Sequence, residues 1–207
     1  MTDSRLGRIA LFAALALAPA LGLVTTAPAA AQGSDSYKFL QAVKTRDNDA
    51  FLTALAVPGT NIMDTRDLDT GETPLIIVTR RRDTQYLSFL ITKKADPNIR
   101  AKNGTTALIE AATIGWYEGE QLLIGAGARV DGTNSSGETP LIRAVHKRDG
   151  DSVRLLIAAG ADPDLKDHVA GKSARDYAAA DPRGQQIVKL IAETPKVAPK
   201  KISGPQL

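Results

Sequence analysis

Apolar residues come in short blocks that keep a fixed beat along the chain. Phe89-Leu90-Ile91, Leu122-Leu123-Ile124 and Leu155-Leu156-Ile157 stand 33 residues apart. Polar landmarks follow the same beat. Gly71-Glu72-Thr73-Pro74-Leu75 returns as Gly104-Thr105-Thr106-Ala107-Leu108, as Gly137-Glu138-Thr139-Pro140-Leu141, and more loosely as Gly171-Lys172-Ser173-Ala174-Arg175, at intervals of 33, 33 and 34. A third column runs Ala95-Asp96-Pro97-Asn98, Ala128-Arg129-Val130-Asp131 and Ala161-Asp162-Pro163-Asp164. Three columns sharing one period define an internal repeat. Within each unit Thr73, Thr106 or Thr139 is placed to cap a helix, with Pro74 and Pro140 in the first turn, where a missing N–H costs nothing. The pattern predicts a helix, a short turn, an antiparallel helix and a hairpin-like loop. One such unit cannot bury its apolar face alone, so neighbours must stack. Degenerate end units are predicted from helical segments at 38–45 and 49–56, with a longer loop through Pro58 and Gly59, and at 176–180 and 186–193.

This register resembles the ankyrin repeat over roughly residues 35–195. The resemblance implies an all-α solenoid of about five stacked helix-turn-helix units with hairpin-like loops, acting as a non-catalytic protein-protein interaction module. It also implies that the first helices and hairpin tips line a concave face. The chain departs from the family pattern at several places. Ile76, Ile109 and Ile142 stand where histidine usually follows Thr-Pro-Leu. The glycine that usually ends the first helix survives as Gly115, with Arg46, Arg82 and Arg148 elsewhere, each followed by an aspartate able to cap the next helix. Left-handed backbone at those arginines would cost about 1 kcal/mol each. Gly119 and Glu120 replace residues that are normally aliphatic, which marks the expected weak point of the array.

Residues 1–31 read as an export signal. Arg5 and Arg8 form a basic start, Ile9 to Ala18 is apolar, and Ala29-Ala30-Ala31 offers small residues for cleavage before Gln32. Pro19 and Gly22 interrupt a stretch that would need about 20 apolar residues to span a bilayer. The expectation is a periplasmic or secreted protein of bacterial type, with no stable membrane insertion after cleavage. Residues 32–195 then form the repeat domain, and 196–207 a Pro- and Lys-rich tail expected to be flexible.

Composition narrows the chemistry. With 4% aromatic residues, the core must rest mainly on Ala, Leu, Ile and Val. With no cysteine there is no disulfide framework, thiolate metal site or thiol nucleophile. Without residues 1–31 the chain carries 24 basic and 22 acidic residues, and three of the lysines lie in the tail, so the repeat domain is nearly neutral and lacks the basic face that nucleic acid requires. Gly171-Lys172-Ser173 echoes the end of a phosphate loop, but Lys166 stands where that loop needs glycine. His146 and His168 lack a third ligand at metal spacing. No catalytic, cofactor or metal site is expected.

What remains is a binding surface. Arg80, Arg81, Lys102, His146 and Lys147 fall in register along the expected concave face, with Trp116 and Tyr117 at the adjoining turn. An aromatic pair beside a basic stripe is the composition of an interface hot spot. The expected partner is another protein with an acidic surface, bound by a monomer. The alternative is an accessory or effector protein of the bacterial envelope, toxin-neutralising or stress-related, acting through its fold.

Overall fold

A computed structural model describes residues 35–55 and 62–193. The expected signal segment and its cleavage site, the Pro58-Gly59 loop and the tail lie outside the described residues. Among the described residues there are ten helices: α1 (Asp35–Thr45), α2 (Asn48–Leu55), α3 (Pro74–Arg80), α4 (Thr84–Thr92), α5 (Ala107–Ile114), α6 (Tyr117–Gly125), α7 (Pro140–Lys147), α8 (Gly150–Ala158), α9 (Ala174–Ala180) and α10 (Gln185–Glu193). The only extended pairing among the described residues is an isolated bridge between Lys166 and Ser173.

The helices form two layers. First helices pack on first helices through the series α1, α3, α5, α7, α9, while second helices follow α4, α6, α8, α10. Leu75, Leu108 and Leu141 from the first layer and Leu87, Leu90, Leu123 and Leu156 from the second are fully buried between them. Ile76, Ile109 and Ile142 are buried in the same core, so apolar packing fills the places where the family pattern has histidine. At the N-terminal end Phe51 stacks on Phe39 with ring centroids 5.2 Å apart and touches Tyr86 at 4.7 Å.

Local polar chemistry fixes where each helix begins. The Thr73, Thr106 and Thr139 hydroxyls accept the N–H of Ile76, Ile109 and Ile142 at 3.4, 3.3 and 3.2 Å. Ser173 and Asp176 do the same reciprocally at α9. Asp47, Asp83 and Asp149 cap the second helices. Arg46, Arg82 and Arg148 adopt the left-handed backbone expected of them, with φ of 59°, 54° and 58°. Each then reaches into the next repeat: Arg46 to Asp83 at 3.2 Å, Arg82 to the Ile114 carbonyl, and Arg148 to the Asp181 carboxylate.

At the expected weak point the packing changes the account of Gly119, while Glu120 is buried where the register places it. Gly119 is buried because the indole of Trp116 occupies the space beside it, and Glu120 is buried and hydrogen-bonded to Ser152. Aliphatic replacement at Gly119 would therefore collide with a ring instead of filling a gap.

Candidate partner-binding face

The hairpin tips are tied to one another through the backbone. Lys102 N–H donates to the Thr70 carbonyl at 2.9 Å, Ser135 to Asn103 at 3.0 Å and His168 to Ser136 at 2.8 Å. Gly104 allows this approach: its φ is +78°, and a Cβ there would stand 2.5 Å from Ser135 N. Asp67 braces the first tip. Its Oδ1 accepts the N–H of Asp69 and Thr70 at 2.9 and 2.8 Å, and its other oxygen meets the Lys44 ammonium. Burial pushes this carboxyl up, but Lys44 and the Thr70 donors outweigh it and hold it at about 2.

Next to the tips, the arginines on and beside the first helices α3 and α7 are already engaged. Arg80 donates to Glu72 Oε1 at 2.6 Å and to Glu110 Oε1 at 2.8 Å, and these two carboxylates raise its own affinity for a proton. Arg143 continues the belt, reaching back to Thr113 Oγ1 at 3.0 Å and to Glu138 Oε1 at 3.1 Å. Arg81 donates to the Val43 and Lys44 carbonyls at the end of α1. The expected basic stripe is thus a belt of ion pairs along its middle, and Arg81 is a clamp between the first two repeats.

Trp116 is only 6% exposed. It stands at the start of α6 without a side-chain cap, and its ring lies on Gly119. It is core, and the aromatic pair does not form a joint surface. Tyr117 alone is exposed, at 42%. Lys102 is exposed at its tip and donates to the Leu68 carbonyl at 2.6 Å.

At the C-terminal end a different cluster assembles. His146 is exposed and lies against Tyr177, with ring centroids 4.3 Å apart. The Lys172 ammonium stands 5.8 Å from the centre of the same ring. Tyr177 Oη donates to Asp167 Oδ2 at 2.6 Å, and that bond pushes the phenol up to about 12. Lys147, also exposed, runs along Gly115 of the preceding repeat. Among the described residues His146, Lys147 and Lys172 make no ion pair, unlike Arg80 and Arg143. The tip beside them carries Val169, which is 80% exposed. Sequence reasoning missed Tyr177, Lys172, Arg143 and Glu110 as members of this face. Their signal was available: Glu110, Arg143 and Tyr177 stand six residues after Gly104, Gly137 and Gly171, and Lys172 shares the column of Glu72 and Glu138.

The stacked helix pairs, capping threonines and hydrogen-bonded tips define a helical repeat protein, in which each unit contacts its neighbours. The family model described as "Ankyrin repeats (3 copies)" matches residues 39–131 and 86–167, and the chain belongs to this family. It is 33% identical over 112 residues to an ankyrin repeat-containing protein of Treponema pallidum (strain Nichols), covering 53% of this chain and 37% of that one. It is 34% identical over 118 residues to the ANK repeat-containing protein nipk-1 of Caenorhabditis elegans, covering 50% and 19%. BCL-6 corepressor-like protein 1 of Homo sapiens is 32% identical over 112 residues, covering 54% and 6%. The chain therefore spans well under half the length of these relatives, and the repeat array is what they share. Ankyrin repeat domains are in general protein-protein interaction modules and typically non-catalytic.

Proposed function

We propose that this chain is an exported, non-catalytic binding module that holds an acidic patch on another protein through the C-terminal part of its concave face. His146, Lys147 and Lys172, arranged around Tyr177, are the residues that would carry the contact. One observation supports this placement: the arginines in the middle of the face are paired with Glu72, Glu110 and Glu138, while these three side chains are exposed and, among the described residues, form no ion pair, Lys172 having only a longer-range attraction to Asp176. Charge that is not consumed within the stack is free to steer a partner and set its orientation. Export to the periplasm or beyond rests on residues 1–31 of the sequence.

The test is capture from an envelope fraction with the chain beginning at Gln32, repeated with a His146→Glu, Lys147→Glu, Lys172→Glu variant and with a Lys93→Glu, Arg154→Glu control on the second helices. The expected result is a protein retained by the wild type and the control, released by salt, and lost from the triple variant. Retention by the triple variant removes this surface from the reading. N-terminal sequencing of the protein from its native host tests the export step, and a chain retaining residues 1–31 in the membrane fraction overturns it.

A further inference from the structure

The contact between α6 and α8 differs chemically from the rest of the second-helix layer. In the 33-residue register the place of Glu120 is held by Leu87 in the preceding repeat and Val153 in the following one, both fully buried. Glu120 is 0% exposed at that same place. Its Oε1 accepts a hydrogen bond from the Ser152 hydroxyl at 2.8 Å, and Ser152 is itself fully buried. Its Oε2 is buried with no hydrogen-bond partner. A carboxylate so placed has lost its water and has recovered a single donor, which favours the neutral acid.

The charged groups around it do not supply a compensating cation. On the α8 side Asp149 adds a like charge and uses Oδ1 to cap Ser152 N–H at 3.1 Å. Asp151 and Arg154 pair with each other on the exposed side of α8 at 2.9 Å. Helix α4 carries no Asp, Glu, Lys or Arg, and its Tyr86 hydroxyl is bonded to Asn48 of the first repeat. On α5 the carboxylate of Glu110 is engaged by Arg80. Glu118, on α6 itself, is exposed and accepts from Thr84 Oγ1 at 3.4 Å. The nearby arginines are committed elsewhere, Arg82 to the Ile114 carbonyl and Arg148 to Asp181.

We propose that the seam between the third and fourth repeats is a proton-operated joint, closed when Glu120 carries a proton and loosened when it ionises. Burial pushes the Glu120 carboxyl up to about 7, the Ser152 hydroxyl offsets part of that rise, and Asp149 adds to it. The folded chain thus binds this proton more tightly than the unfolded chain does. The stabilisation is complete below the ordinary carboxylate range near 4.5, falls as pH rises to about 7, and changes little beyond. An interaction module carrying such a joint would respond to the acidity of its surroundings without using any residue of the binding face.

The experiment compares the wild type with Glu120→Gln and Ser152→Ala in urea unfolding from pH 4.5 to 8.5, with amide hydrogen exchange as the local readout. The ratio of the wild-type folding constant to that of Glu120→Gln is expected to fall about ten- to a hundredfold between pH 5 and 8. Parallel pH curves for the two proteins overturn the proposal. Should Glu120→Gln fail to fold, Ser152→Ala keeps the carboxyl and removes its donor, so the pH midpoint of the loss must move upward, and an unmoved midpoint overturns the proposal instead. Exchange in α6 and α8, corrected for intrinsic base catalysis, is expected to quicken relative to α4 as pH rises. A uniform change across all helices would rule out a joint at this seam.

Discussion

The indole of Trp116 lies directly on Gly119: a Cβ built on that glycine would stand 2.2 Å from ring atom Cε3. Helix propensity alone says that Gly119→Ala should stabilise α6 by up to about 1 kcal/mol. The ring reverses the sign, because forcing a methyl group into a filled core commonly costs about 1 to 3 kcal/mol. We expect Gly119→Ala to lower the urea midpoint. The emission of Trp116, the sole tryptophan of the chain, should shift to the red as the ring is displaced.

This pair shows what the sequence could and could not disclose. The 33-residue columns were sufficient for helix order, caps and stacking, since each rests on local chemistry at a fixed offset. Trp116 and Gly119 looked like a hot spot and a defect because each was read alone. In register they replace Asp83 and Tyr86 of the preceding repeat and Asp149 and Ser152 of the following one, a coupled exchange of cap for ring and ring for space. The basic stripe was misjudged for a related reason: Arg80 meets Glu110 30 residues away, a pairing between helices of different repeats that no single-repeat pattern contains.

The left-handed arginines offer a cleaner stability test. At Arg148, with φ of 58°, glycine relieves backbone strain of about 1 kcal/mol and gives up only a solvent-screened ion pair with Asp181. Alanine gives up the ion pair and keeps the strain. Arg148→Gly is therefore expected close to wild type in urea unfolding, and more stable than Arg148→Ala by about 1 kcal/mol.

Asp67 predicts an acid-side response. Its folded-state carboxyl is held at about 2, below the ordinary 3.8, so its contribution is present above the unfolded value and is lost as pH falls toward 2. Asp67→Asn should cost about 2 kcal/mol at pH 7, and the difference from wild type should shrink steadily below pH 4. Glu120 has the opposite sign and weakens the fold as pH rises. Taken as a pair, these two carboxyls contribute most near their ordinary values of 3.8 and 4.5 and less on either side.

Binding kinetics should separate the two ends of the face. Arg80→Glu disturbs a bridge between two carboxylates, so its main effect is local repulsion within the stack. Lys147→Glu and Lys172→Glu change charge that is not consumed there. With a captured partner, surface plasmon resonance is expected to show a slower, less salt-dependent association for the lysine reversals than for Arg80→Glu.

Side-chain hydrogen bonds between repeats, such as Arg81 with Val43 and Tyr86 with Asn48, join partners 38 residues apart. The arginine bridges, the tip-to-tip backbone bonds and the layer contacts all join a repeat to its immediate neighbour. No step of folding therefore has to close a loop much longer than one repeat, and each added unit meets about the same entropic barrier as the last. A nucleus could form at the aromatic cluster of Phe39, Phe51 and Tyr86 or at the capped helices α7 and α9, then grow from either end. Such a chain can acquire structure unit by unit, in the order in which its residues are synthesised.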